Sequence, residues 1–259
     1  MENNFAPKII HVISRMNVGG PARMIQELMH IDKSVAEQFL ITGICQEGEI
    51  DFRDSHPELH SIELKNLGRD INLISDLINI IKIGIYLRKL KPDYVITHAA
   101  KAGFSGRLAA MLFYPRAQRI HFFHGHLLYG YFSKPVSYIF KLIEKYIGKF
   151  THKIVAIGSG VQKDLIINGV IDAEKIYVLL PGVKLNIIQS KHLNEKGFNI
   201  LFVGRLTAIK NPFRVVRLAQ LAKDQKLSMK FQVVGGGELL EKLLKTKNDL
   251  DLTNLEFYN

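Results

Sequence analysis

The sequence has 259 residues, 47% hydrophobic and 23% charged, which is enough for one large domain or two small ones and excludes a disordered, collagen-like or low-complexity chain. Its single cysteine, Cys45, excludes a disulfide framework and a cysteine-built metal site. The 35 basic and 24 acidic residues give a net charge of +11, which favours an anionic partner such as nucleic acid, lipid headgroups or a phosphorylated small molecule.

Neither a targeting segment nor a membrane span is predicted. The amino terminus carries an acid and amides before its first apolar residues, which is not typical of a signal peptide. The longest apolar stretch, residues 71–87, is broken by Asn72, Asp76, Asn79 and Lys82. We therefore expect a cytoplasmic protein.

Short β-branched runs alternate with longer amphipathic segments along the chain. Strands are predicted at residues 8–13, 38–44, 94–97, 119–123, 153–156, 176–180, 200–203 and 230–234. In the predicted helix 136–150, apolar residues recur every three or four positions, and a polar side carries Lys141, Glu144, Lys145 and Lys149. This alternation is typical of an α/β fold with a doubly wound parallel sheet.

A polar, aperiodic stretch follows the Pro181-Gly182 turn signal and marks a domain boundary. We predict a first domain over residues 1–185, a linker over 186–198 and a second domain over 199–259. The second domain is expected to be incomplete, because about 60 residues are few for a doubly wound domain.

The loop after the first strand contains Asn17, Gly19 and Gly20, with Pro21 as the first residue of a predicted helix. Glycines allow the backbone to approach a ligand closely, and a helix amino terminus attracts phosphate or carboxylate. A merely tight turn is the alternative. The loop matches neither the dinucleotide-binding nor the P-loop fingerprint.

Three histidines lie close together at the end of the 119–123 strand, at His121, His124 and His126. Ligands of open α/β sheets bind beyond the carboxyl ends of strands, so His124 is a candidate for substrate contact, and His98 has a similar position after another strand. A hydrogen-bonded structural histidine and a metal ligand are the alternatives. A metal is disfavoured, because strand alternation sends His121 and His124 in different directions.

Two cations follow the strand that ends at Gly204. Arg205 and Lys210 precede a helix predicted to begin with Asn211 as its N-cap. A guanidinium fork, an ammonium group and a helix dipole together suit a diphosphate, whereas two solvated surface cations are the alternative. Gly235 and Gly236 follow the next strand in the same manner.

The chain resembles the bacterial family-4 retaining glycosyltransferases of the GT-B fold, especially those that build cell-surface polysaccharide or lipid-linked oligosaccharide. The loops already described carry this resemblance together with residues 97–107, 123–132, 156–159 and 181–183. It implies a complete N-terminal Rossmann-like domain on the acceptor side and the first part of a second, nucleotide-sugar-binding Rossmann-like domain.

The resemblance implies transfer of a sugar from a UDP- or GDP-linked donor to a hydroxyl of a glycan or lipid-linked acceptor, with no cofactor and no metal. His124 would contact the sugar as the catalytic residue. Arg205, Lys210, Gly19 and Gly20 would bind the donor diphosphate. The further candidates are Asn17, His98, Lys101, Gly235 and Gly236.

Two departures from the family pattern are visible. Lys184 stands where an aspartate is usual, and the E-x7-E pair that orients the donor is absent before Asn259. The alternative is therefore a truncated, non-catalytic nucleotide-binding remnant.

Nucleic acid is not expected as a partner, because no helix-turn-helix, RNP or zinc-finger pattern is present. The lysine-rich side of the 136–150 helix instead predicts peripheral contact with an anionic membrane surface, on the inner face of the plasma membrane.

Overall fold

A computed structural model describes residues 6–68, 72–125, 134–182 and 197–258. The chain forms two compact units, Met1–Lys184 and Leu185–Asn259. Most of the predicted linker lies outside the described residues, and Phe198 at its end already belongs to a strand.

Unit 1 is built on a seven-stranded sheet with the order β3-β2-β1-β4-β5-β6-β7, in which every pair of neighbours is parallel. The strands are β1 (Lys8–Ile13), β2 (Glu37–Thr42), β3 (Ser61–Glu63), β4 (Tyr94–His98), β5 (Gln118–Phe123), β6 (Lys153–Ala156) and β7 (Ile176–Val178). The predicted bounds of β1 and β6 match those of the structure, whereas β3, only three residues long, was not predicted.

Five helices connect these strands: α1 (Gly20–Met29), α2 (Leu73–Leu90), α3 (Ala100–Phe113), α4 (Lys134–Gly148) and α5 (Ser159–Ile167). Right-handed crossovers place α1 on one face of the sheet and α2 to α5 on the other. The two cores agree with this placement. Ile10 and Val12 of β1 pack with the buried residues of α2 and α3, while Ile13 packs with Ala22 and Ile25 of α1.

The alternation of β1 therefore sends His11 to the α1 face, together with Ile13. The same rule sends His121 of β5 to the α3 face, where a Cβ added at Gly103 would collide with its ring. A small residue in α3 makes room for this histidine.

The polar side predicted for α4 is wrong at Glu144. This carboxylate is fully buried and accepts two hydrogen bonds from Arg107 of α3, at 2.7 and 2.8 Å. The physical reason is that the buried guanidinium requires a paired carboxylate, which turns this part of α4 inward. As a consequence, Val136, Ile139, Ile143 and Phe150 of the apolar stripe are exposed, and only Ile147 is fully buried.

Unit 2 has a three-stranded parallel sheet in the order β10-β9-β8. Its elements are β8 (Phe198–Val203), α6 (Phe213–Asp224), β9 (Met229–Val234), α7 (Leu240–Asp249) and β10 (Leu255–Tyr258). Its core contains Val216 and Ala219 of α6, Leu243 of α7, and Phe231 and Val233 of β9.

Among the described residues, no helix combines the length and the apolar character needed to cross a membrane.

Candidate functional site

Three histidines from adjacent strands form one continuous chain in unit 1. His11 lies in β1, His98 ends β4, and His124 directly follows β5. His11 Nδ1 lies 3.0 Å from His98 Nε2, and His98 Nδ1 lies 3.0 Å from His124 Nε2. The structure thus joins the two predicted histidines, His98 and His124, through a direct hydrogen bond at the carboxyl ends of their strands.

Burial keeps these imidazoles neutral. It lowers the pKa of His11 from 6.5 to about 4 and that of His124 likewise to about 4, and it lowers the pKa of His98 well below its ordinary value. The main cause is the desolvation of a cation, which no carboxylate of the described residues compensates. Each ring near neutral pH therefore has one N–H donor and one acceptor nitrogen.

His121 does not belong to this chain. Its Nδ1 lies 2.9 Å from Thr97 Oγ1 and 3.1 Å from the Thr97 carbonyl oxygen, on the opposite face of the sheet from His124. His126 lies outside the described residues. Within the described ranges, no group of three or more histidine, cysteine or acidic side chains could hold a metal ion.

The loop that precedes α1 is open to solvent at its glycines. Gly19 occupies the N-cap without a side-chain hydrogen bond, and Gly20 begins the helix. A Cβ added at Gly20 would have no atom within 4 Å, so the backbone at Gly20 leaves room for a ligand to approach. The loop is held in place where Val18 N donates to the Ile50 carbonyl oxygen, at 3.0 Å.

Two other candidates of unit 1 are engaged with neighbouring side chains. The Asn17 amide donates to Glu49 at 3.4 Å. The Lys101 ammonium forms an ion pair with Asp76 of α2, at 2.8 Å. Both side chains lie near the carboxyl ends of strands, but their polar groups are directed at carboxylates of the protein.

In unit 2, the structure brings together the loops that follow β8 and β9. Leu206 N donates to the Gly236 carbonyl oxygen at 2.8 Å. Gly235 has a φ of +134°, and a Cβ there would collide with the Gly204 carbonyl, so the close approach of these loops requires glycine.

Arg205 and Lys210 project from the first of these loops. Both side chains are exposed, and neither forms an ion pair with a carboxylate of the described residues. The helix start predicted here is wrong by one residue. Asn211 is left-handed, with a φ of +48°, and Pro212 is the N-cap of α6. The left-handed turn follows a short 3-10 helix that ends at Lys210.

Sequence reasoning did not single out His11 or Gln38. A signal was present, because His11 is the only polar residue between Ile9 and Ile13 of a buried strand, and a buried polar side chain requires a partner. The partner could not be named, since His11 and His98 are 87 positions apart in sequence.

The family model for Glycosyltransferase Family 4 matches residues 18–187, which is more than half of the chain. The chain belongs to Glycosyltransferase Family 4. The family resemblance inferred from the sequence motifs is confirmed, and the match covers Gly19, Gly20, His98, Lys101 and His124.

This family-4 chain is similar to two curated bacterial proteins. It is 30% identical over 251 residues to the UDP-Gal:alpha-D-GlcNAc-diphosphoundecaprenol alpha-1,3-galactosyltransferase of Escherichia coli, covering 91% of the chain and 64% of that protein. It is 27% identical over 217 residues to the capsular polysaccharide biosynthesis glycosyltransferase CapM of Staphylococcus aureus, covering 76% of the chain and 52% of that protein. The chain thus spans less than two thirds of the length of both relatives.

Among solved structures, Anabaena Alr3699/HepE in complex with UDP and glucose matches with a TM-score of 0.73 at 16% identity, covering 97% of this chain and 68% of that one. At this identity the similarity concerns the fold alone. It confirms the GT-B-like, Rossmann-type α/β architecture that the family resemblance implied.

Proposed function

We propose that this family-4 chain takes part in the transfer of a sugar from a nucleoside-diphosphate donor to a hydroxyl acceptor, with retention of configuration, in cell-surface polysaccharide or glycolipid biosynthesis. The names of its relatives support this class of reaction, since one uses UDP-Gal and a lipid-diphosphate acceptor and the other serves capsular polysaccharide. The observation that carries the proposal is the exposed pair Arg205 and Lys210, which has no carboxylate partner among the described residues.

Each candidate group has a role that follows from its chemistry. Arg205 and Lys210 neutralise the charge that develops on the leaving diphosphate, as fixed cations that stabilise the transition state. The N–H groups at Gly19 and Gly20 donate to an anionic group at the start of α1. The neutral ring of His124 contacts the transferred sugar. These fixed cations perform the charge neutralisation for which other transferases use a metal, so no metal requirement is proposed.

The acceptor is proposed to be a glycan or a lipid-linked glycan, reached at the inner face of the plasma membrane. Support comes from α4 and the turn that follows it, where Lys145 and Lys149 are exposed and the apolar residues Ile139 and Tyr146 are exposed as well. A helix of this kind binds anionic headgroups through its lysines and the lipid boundary through its apolar side chains.

Nucleotide binding tests the diphosphate assignment. Arg205→Ala and Lys210→Ala should each weaken UDP or GDP binding by roughly 1.5–3 kcal/mol, or about tenfold or more in Kd, because each removes a charge-assisted contact. Isothermal titration calorimetry measures the effect. Arg217→Ala, an exposed arginine of α6, is the matched control and should leave Kd unchanged. Unchanged affinity in both loop variants would reject the assignment.

A further inference from the structure

Gln38 of β2 anchors the histidine chain at the end opposite His124. Its amide Nε2 donates to the Leu28 carbonyl oxygen at 2.7 Å, and its Oε1 lies 2.9 Å from His11 Nε2. Leu28 lies in the last turn of α1, where carbonyl groups have no partner within the helix. A carbonyl oxygen can only accept, so the NH₂ of Gln38 must face Leu28 and its oxygen must face His11.

This orientation of the Gln38 amide determines which ring nitrogen of each histidine in the histidine chain carries the proton. Because Gln38 Oε1 only accepts, His11 must carry its proton on Nε2, which leaves a lone pair on Nδ1. His98 Nε2 faces that lone pair at 3.0 Å and must therefore be the donor, so His98 Nδ1 is an acceptor. His124 Nε2 faces this acceptor at 3.0 Å and must carry the proton of its ring.

The result is an acceptor lone pair on His124 Nδ1. Among the described residues, the ring hydrogen bond of His124 is the one that joins its Nε2 to His98 Nδ1, at 3.0 Å. The hydrogen bonds of the histidine chain keep one donor-to-acceptor direction because His11 and His98 are almost fully buried, at 1% and 0% exposure. At such burial, water does not compete for their ring nitrogens. A protonated ring would place two donors against each other, and the lowered pKa values of the three histidines prevent this near neutral pH.

We propose that Gln38, His11 and His98 are positioning residues that hold His124 in its Nε2–H tautomer, so that Nδ1 accepts a hydrogen bond from a hydroxyl of the bound substrate. The substrate part of this inference rests on the proposed function, whereas the tautomer itself does not. These residues are far apart in sequence, but their hydrogen bonds connect α1, β2, β1 and β4 to the residue that follows β5.

The decisive variant is Gln38→Lys. A lysine ammonium only donates, so it can satisfy the Leu28 carbonyl while it presents an N–H to His11 Nε2. That reverses the chain: His11 and His98 become Nδ1–H tautomers, and the proton of His124 moves from Nε2 to Nδ1. Gln38→Met removes both bonds and lets the two directions mix. Gln26→Lys, a glutamine of α1 outside the chain, is the matched control.

The tautomers are measured on the whole protein labelled with ¹³C and ¹⁵N, by long-range ¹H–¹⁵N correlation, with His124 assigned in the wild type by sequential backbone and side-chain correlations. We expect an unprotonated Nδ1 at His124 in the wild type and in Gln26→Lys, and a protonated Nδ1 in Gln38→Lys. A wild-type His124 protonated at Nδ1 overturns the proposal, and this spectrum needs no variant to fold.

Turnover separates the two claims. With UDP release from UDP-galactose as the assay, Gln38→Lys should lower kcat at least about tenfold with KM little changed, because the hydrogen bond to His124 Nδ1 is lost while the contacts to the donor diphosphate remain. A reversed tautomer with unchanged kcat would overturn the positioning role while the proposed function stands. A wild type that releases no nucleoside diphosphate from either UDP- or GDP-linked sugars would reject the proposed function, while the spectrum would still decide the tautomer.

Discussion

At the scale of single residues, His11 has the position and surroundings of a core residue but the chemistry of a site residue. It belongs to β1 between Ile10 and Val12, and its ring is directed at Gln38 and His98 rather than at apolar neighbours. Replacing the histidines by apolar residues of similar shape would remove the need for these hydrogen bonds. The proposed positioning of His124 would account for their presence, since all of these hydrogen bonds end at its ring.

The buried histidines make the stability of unit 1 depend on pH. The pKa values of His11 and His124 fall from 6.5 in the unfolded chain to about 4 in the folded one, so the unfolded state binds more protons between these values. Stability is therefore complete above about pH 6.5 and is lost as the pH falls towards 4. Each of these two histidines should lower the free energy of unfolding by roughly 2 kcal/mol when the pH falls from about 7.5 to about 5.

Urea unfolding at these two pH values measures the loss. His124→Gln should reduce the difference between the two midpoints, because one lowered pKa is removed. His60→Gln, at an exposed histidine, serves as the control and should keep the wild-type difference. If His124→Gln kept the full wild-type difference between the two urea midpoints, the lowered pKa of His124 in the folded protein would be contradicted.

At the scale of the elements, periodicity predicts where a strand or helix lies better than which side it buries. The β-branched runs of β1 and β6 define those strands to the residue, because a sheet covered on both faces needs apolar side chains at every position. Helix α4 has a clear period, but the partner of its buried side is Arg107 in α3, 37 positions from Glu144. The period does not reveal this distant charge, so the buried position of Glu144 could not be predicted.

The contact of α3 with α4 should depend strongly on this ion pair. Arg107 and Glu144 are both 0% exposed, and Arg107 also donates to the Gly103 carbonyl oxygen at 2.7 Å. Glu144→Leu would leave a buried guanidinium without its carboxylate, and we expect a loss of roughly 3–5 kcal/mol in the free energy of unfolding. The double variant Arg107→Met/Glu144→Leu should recover most of that loss, since it removes both charges.

A double-mutant cycle by urea denaturation checks this prediction. The same cycle on Lys101 and Asp76, an ion pair between α3 and α2 that solvent partly reaches, is the control and should give a smaller coupling energy. Equal coupling energies for the two pairs would contradict the argument that complete burial makes the Arg107–Glu144 pair strong.

At the scale of the molecule, unit 1 exposes apolar side chains on both the α2 and the α4 helices. The outer side of α2 exposes Ile74, Leu77, Ile81 and Ile85, the first of them to 75%. These positions recur at helical spacing opposite the buried residues Ile80, Ile83 and Leu87, so α2 is apolar on both sides. Between α3 and α4, a groove of about 360 Å³ adds Leu108, Met111 and Tyr146. The sequence identifies these apolar residues, but only the packing of the helices against α3 shows which of them remain exposed to solvent.

Together with a net charge of +11, this surface predicts binding to anionic membranes. Each lysine near a charged bilayer contributes about 1 kcal/mol, so binding should require anionic lipid and weaken as salt screens the charges. We expect co-sedimentation with phosphatidylglycerol vesicles, little with phosphatidylcholine vesicles, and a marked loss when Lys141, Lys145 and Lys149 are changed to glutamine.

A second variant separates charge from apolar insertion on the same surface. Ile74→Ser/Leu77→Ser/Ile81→Ser in α2 should reduce binding at high salt, where the electrostatic attraction is screened and the apolar contribution remains. The matched control changes three exposed lysines of unit 2, at positions 226, 230 and 245, to glutamine and so removes the same charge elsewhere. Equal loss in this control and in the α4 variant would show that net charge alone draws the chain to the bilayer, and the assignment of the α2 and α4 surface would be rejected.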